Sequence, residues 1–184
     1  MDKDLVLSEE SLTQYFYKNL TRVNECSLSP LPHELILYSC EVLDKYAFTS
    51  KFFNTSNGKV NEKVLGIKFL EAKSKSLSER KLLFKDVGDT ALVQLGLFSK
   101  SVDKKLVSKE YYLNLGKSAY AQLEILECRF YDIPNFFNHF SDSFEYMVHL
   151  LEAMSEMNKF DSLEQYLLMS DQEQVDLFKL PSKK

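Results

Sequence analysis

Tryptophan is missing from this 184-residue chain, and glycine, proline and cysteine are scarce, with five, four and three copies. So few turn-forming residues argue against the turn-dense sandwiches, barrels and propellers. The three cysteines, Cys26, Cys40 and Cys128, are too scattered for a disulfide framework or a zinc knuckle, and each reads as a small apolar thiol in a reducing compartment. No apolar run approaches the roughly 20 residues of a membrane-spanning helix. The first residues, Met1 to Leu7, lack the basic and apolar regions of a signal peptide, so a cytoplasmic location without membrane insertion is the expectation. Arginine is thin as well, with Arg22, Arg80 and Arg129 far apart. The formal charge is −4, which gives no broad electrostatic attraction to nucleic acid. The densest basic stretch, Lys100, Lys104, Lys105 and Lys109, is interrupted by Asp103 and Glu110 and reads as a solvated connector.

What remains is ordinary globular material, 45% hydrophobic and 27% charged, with fourteen Phe and ten Tyr to build a core of single-ring aromatics. Apolar residues recur at three- and four-residue spacing, which predicts a single all-α domain over residues 1–184 with about six main helices. A first helix, capped by Ser8, carries Leu12, Tyr15, Phe16, Leu20 and Val23. Pro32 sits in the first turn of a second, which runs through Leu35, Tyr38, Val42, Leu43 and Tyr46. Residues 49–60 read as a loop around Asn57-Gly58, with a hairpin as the alternative. A third helix spans 61–75, a fourth spans 79–98 behind Ser76 and Ser78, and 99–108 is a polar connector. Ser108 then opens a helix to Cys128, and Asn135 to about Met157 forms an aromatic-rich one. Short C-terminal helices from Asp161 and Asp171 precede a frayed tail at 181–184.

Three of the five glycines lie inside helical periodicity. Gly88, Leu92 and Gly96 share one face of the fourth helix, and Tyr112, Gly116 and Tyr120 share one face of the fifth. An interior helix glycine costs roughly 0.8–1 kcal/mol against alanine, so a close helix approach is the expected reason. In that reading Gly116 receives the first helix, and Gly88 and Gly96 receive the tyrosines, unless Gly96 is a helix C-cap. Asp89, beside Gly88 and among Val87, Ala91 and Leu92, needs donors if buried, and the Tyr112 or Tyr120 hydroxyls are suited to it. It is either a polar pin between helices or the anchor of a ligand pocket between them. The series Gly88-Asp89, Leu92, Gly96, Phe98, then Tyr111-Tyr112, Gly116, Ala119 and Tyr120, resembles a family of uncharacterised bacterial proteins. The resemblance implies a bacterial cytoplasmic origin and a shared helical core, and brings no catalytic residue.

Sequence motifs for chemistry are missing. Glu145, His149, Glu152 and Glu156 share a helix face, but the Glu–His spacing of four and the lack of a second copy do not meet a di-iron pattern. There is no nucleophile elbow, no phosphate loop and no groove-reading helix. Phe136, Phe137, Phe140 and Phe144 read as core packing, with a hydrophobic ligand pocket as the alternative, and because neighbouring Phe136 and Phe137 cannot share a face, one of them is free to reach a partner or a second subunit. The expected function is therefore non-enzymatic and needs no metal or cofactor: a regulatory, adaptor-like protein that binds a protein partner, a second copy of itself included. The alternative is a small-molecule sensor with a pocket lined by Gly88, Asp89, Leu92, Gly96, Tyr112, Gly116 and Tyr120.

Overall fold

A computed structural model describes residues 11–46, 53–56, 59–62, 64–102, 107–127, 129–130 and 132–157. The expected cap at Ser8, the connector residues 103–106 and the C-terminal helices after 157 lie outside them. Within the described residues the architecture is all-α: helices pack on helices, and two short hairpins are the only strands. The helices are α1 (Leu12–Cys26), α2 (His33–Tyr46), α3 (Leu65–Ala72), α4 (Leu77–Val102), α5 (Lys109–Leu126), α6 (Phe136–Asp142) and α7 (Phe144–Met157).

The helix starts follow capping chemistry. Ser11 and Gln14 form a reciprocal capping box at α1, so this serine begins the described helix. Pro32 stands one residue ahead of α2, and its carbonyl accepts from the Leu35 and Ile36 amides. Glu79 reaches back to the backbone N–H and hydroxyl of Ser76, which opens α4, and the Ser108 hydroxyl accepts from the Tyr111 amide at the head of α5. The stretch read as a loop contains strands β1 (Phe53–Ser56) and β2 (Lys59–Glu62), paired antiparallel with Phe53 opposite Glu62. The hairpin alternative is thus the one adopted. Helix α3 is shorter than the expected 61–75 because β2 occupies its first residues.

Two further boundaries differ. Helix α4 runs past Gly96 and Phe98 to Val102, with a break in helical geometry at Phe98 (φ −124°, ψ 28°), so Gly96 is interior and not a C-cap. The expected single helix 135–157 is two, α6 and α7, divided at Ser143 (φ −89°, ψ 0°). A second hairpin, β3 (Arg129–Phe130) with β4 (Ile133–Pro134), precedes α6, and Asn135 turns the chain with φ 54°. Asparagine tolerates that left-handed conformation better than most residues.

Helix α4 is the axis of the core. Every residue from Val87 to Gly96 is buried, as expected of a helix enclosed on all sides. Helix α5 lies antiparallel to it, since Gly88 meets Tyr120 and Lys81 meets Glu127. Helix α7 runs parallel to α4, with Gly96 at Leu151 and Lys100 at Glu156. Helix α2 packs across α4, and α1 packs on α2 and α7. Phe136 and Phe137 are both buried: Phe136 lies against Phe130 and Tyr38, while Phe137 stacks parallel to the Tyr120 ring. The core-packing reading of these rings is the one adopted, and neither is left to reach a partner or a second subunit. A seven-residue helix wedged into the core has apolar neighbours on more than one side.

Candidate functional site

The glycines admit side chains from across the helix crossings. A Cβ on Gly88 would stand 2.8 Å from the Tyr120 ring, as the sequence suggested. One on Gly96 would stand 2.5 Å from Leu151, and one on Gly116 would stand 2.3 Å from the Phe144 ring. Neither the tyrosines nor the first helix fills those two places; α7 does. Leu92, between Gly88 and Gly96, is fully buried. Tyr112 is half-buried with its ring edge-on to Tyr111, away from the carboxylate it was expected to serve. Gly88, Asp89 and Tyr120 come together, whereas Gly96, Tyr112 and Gly116 serve other contacts.

Asp89 is fully buried and surrounded by donors. Its Oδ1 accepts from the Tyr38 hydroxyl at 2.7 Å and the Tyr120 hydroxyl at 2.9 Å. Its Oδ2 accepts from Lys45 Nζ at 3.0 Å and lies 3.5 Å from Lys85 Nζ. Lys85 also donates to Tyr38 Oη at 2.6 Å and stands 4.2 Å above the Tyr38 ring centre. One carboxylate thus joins α2, α4 and α5 through two phenols and two ammonium groups. Both oxygens are satisfied, which is what a buried charge requires. The lysine side chains retain 39% and 33% of their exposure, so the ion pairs form where the buried acid meets the surface.

The electrostatics follow from burial. Removal from water, then the charge of Asp89, raises the Tyr38 and Tyr120 phenols well above their ordinary range. Burial also pulls the Lys85 ammonium down; Asp89 opposes that shift and Lys45 adds to it. A second set lies one turn away, where Tyr46 Oη is 3.0 Å from Asp86 Oδ1 and 2.8 Å from Thr90 Oγ1, and Lys68 pairs with Asp86. Tyr46 is raised as well, by burial and then by Asp89 and Asp86. Burial and the nearby Glu41 push the Cys40 thiol up to about 12, which makes it inert as a nucleophile.

Tyr38, Lys45 and Lys85 were not singled out in the sequence, although Lys85 stands one turn before Asp89, and Tyr38 and Lys45 are two turns apart on one helix. Glu124 was missed too. It is buried on α5, and its Oε2 accepts from the Phe137 and Asn138 amides at 3.0 and 3.3 Å. It supplies the N-cap that Asn135 does not. The Glu145, Glu152 and Glu156 carboxylates are engaged by Lys117, Lys109 and Lys100. His149 Nδ1 lies 3.4 Å from Glu152, which is largely buried.

The sequence matches no family model, and comparison with curated proteins and with solved structures finds no match. The chemistry of the site must therefore be read from its own geometry. A carboxylate with both oxygens engaged by side chains of the fold is suited to holding helices in place, and the space beside it is filled by the Tyr38 and Tyr120 rings, 6.0 Å apart.

Proposed function

We propose that this chain is a non-enzymatic interaction protein, a regulatory adaptor of the bacterial cytoplasm, that presents the outer face of α3 to a protein partner. The observation that carries this reading is a row of apolar side chains at helical spacing: Val64, Ile67 and Leu70 are 61%, 56% and 64% exposed. Leu77, just beyond α3, is exposed as well. Single exposed leucines are ordinary, but a row on one short helix marks an interaction surface. The inner face of α3 is anchored by Leu65 and Ala72 and by Phe69 against Phe84, so the row stands on a fixed support. Free thiols at Cys26 and Cys40 speak for a reducing compartment. The sensor reading has less behind it, because the tyrosine rings take the space a ligand would need at Asp89.

The test compares wild type with the double variant Ile67→Asp, Leu70→Asp. Both positions are exposed, so stability should change by no more than about 0.5 kcal/mol. Sedimentation velocity is expected to show self-association of the wild type that the variant lacks. A wild type that stays monomeric at high concentration removes the second copy as partner. Photo-crosslinking from position 67 in cells then asks for another protein, and absence of any crosslink overturns the proposal.

A further inference from the structure

We propose that residues 161–180 of this chain fold back on the apolar row of α3 and cover it until a protein partner displaces them. The proposal rests on the reading of that row as a docking surface and adds how access to it is controlled. Val64, Ile67 and Leu70 are each more than half exposed, and Lys73 and Lys75 are exposed in the turn that follows α3. The sequence after α7 carries the complementary pattern. Leu163, Tyr166 and Leu167 recur at helical spacing, as the α3 row does. From Asp161 to Asp176 there are five carboxylates, with Glu164, Asp171 and Glu173 among them, and no lysine, arginine or histidine.

Connectivity brings the two patterns together. The head of α5 touches both neighbours: Lys109 pairs with Glu152 of α7 at 3.8 Å, and the Tyr111 hydroxyl lies over Gly66 of α3. The end of α7 and the start of α3 therefore stand on either side of one helix, whose diameter is about 10–12 Å. Residues 158–162 can span up to about 17 Å, enough to carry the chain past the head of α5 and set Leu163 beside Val64. A helix running alongside α3 in the same direction then places Tyr166 near Ile67. Both elements rise equally per residue, so Asp171 and Glu173 arrive near Lys73 and Lys75. So short a tether gives an effective concentration of about millimolar. A partner present at micromolar concentration gains the row only by binding it roughly a thousandfold more tightly than the segment does.

The test places a photo-crosslinking amino acid at position 67 of the full chain and irradiates a dilute mixture of isotopically light and heavy copies. Peptide mass spectrometry is expected to find position 67 joined to residues 161–170, with both peptides carrying the same isotope. The double variant Lys73→Glu, Lys75→Glu should lower that yield at least about twofold at low salt, the scale of two exposed ion pairs reversed. Adding Asp171→Lys and Glu173→Lys should restore it, with helical content by circular dichroism unchanged through the series. No crosslink to residues 158–184, or a yield indifferent to both charge reversals, overturns the proposal. Crosslinks of mixed isotope alone also overturn it and give the row to the segment of a second copy. The α3 reading fails separately: an intrachain crosslink in a protein that captures no other chain from position 67 in cells keeps the cover and removes the partner.

Discussion

Replacing Asp89 with asparagine changes one atom and should destabilise the protein substantially. The asparagine carbonyl can still accept from Tyr38 and Tyr120, which lie 2.7 and 2.9 Å from Oδ1 in the wild type. Its amide group, however, would face Lys45 and Lys85, placing donors against donors. Removing one partner of a strictly buried ion pair costs about 3–5 kcal/mol. Here both lysines are a third or more exposed and can turn to water, which reduces the penalty. The lost charged hydrogen bonds then set the scale, at about 2–3 kcal/mol. For a chain of this length that lowers Tm by roughly 5–10 °C. Thermal melts followed by circular dichroism, with urea titrations alongside, measure it; the urea midpoint should fall while the slope stays constant. Tyr120→Phe, which removes one donor and keeps the ring beside Gly88, should cost only about 1 kcal/mol. A loss below about 0.5 kcal/mol in Asp89→Asn would refute the structural account and return Asp89 to the role of ligand anchor.

Two glycine substitutions should have opposite signs. Gly66→Ala meets only the hydroxyl end of the half-exposed Tyr111, which can swing aside, so the helix should gain about 0.5–1 kcal/mol. Gly116→Ala drives a methyl into the buried Phe144 ring and should lose about 1–3 kcal/mol; equal shifts in paired urea titrations would contradict this. Glu124→Ala removes the acceptor for the first α6 amides and should cost about 1 kcal/mol, with faster hydrogen exchange at Phe137 and Asn138 than in wild type. At high pH the raised Tyr38 and Tyr120 phenols act as follows. The unfolded chain ionises near pH 10 while the folded state keeps its protons, so stability is whole below that pH and falls above it. Lys85, shifted down, works in the opposite direction just below its ordinary range, but as one group against three raised phenols, Tyr46 being the third. Absorbance near 295 nm should show late tyrosine ionisation coinciding with loss of helicity, and independent early ionisation of all ten tyrosines would refute it.

Much of the helical content was legible because periodicity and caps are local signals. Ser108 fixes the start of α5 as its capping chemistry suggested, whereas the cap read at Ser8 lies outside the described residues and Ser11 with Gln14 opens the described part of α1. The hairpin Arg129–Pro134 was not legible, since four paired residues are too few to show alternation. The division at Ser143 was hidden because apolar residues continue on both sides, and only three-dimensional packing decides where such a run bends. At the site, Asp89 and Gly88 stood out because a carboxylate and a glycine inside an apolar helix each need a reason. Tyr38 did not, because tyrosine on an apolar helix face is unremarkable in one dimension, and its meeting with Asp89 spans 51 positions of sequence. Glu124 was more accessible: it continues the four-residue series Tyr112, Gly116, Tyr120 along the face of α5.

The placement of small residues along the central helix has a bearing on how errors are excluded during assembly. Sliding α4 by one helical turn, about 5.4 Å, would bring Phe84 or Leu92 under the ring of Tyr120, where only Gly88 leaves room. The same slip would carry Asp89 away from the phenols of α2 and α5 and strand it among hydrocarbon. Because Gly96 and Gly116 make the same demand of α7, a compensating slide of one partner cannot relieve the clash with another. The molecule has in effect a three-toothed key, and misaligned bundles with equally greasy interiors are rejected by shape and by charge together.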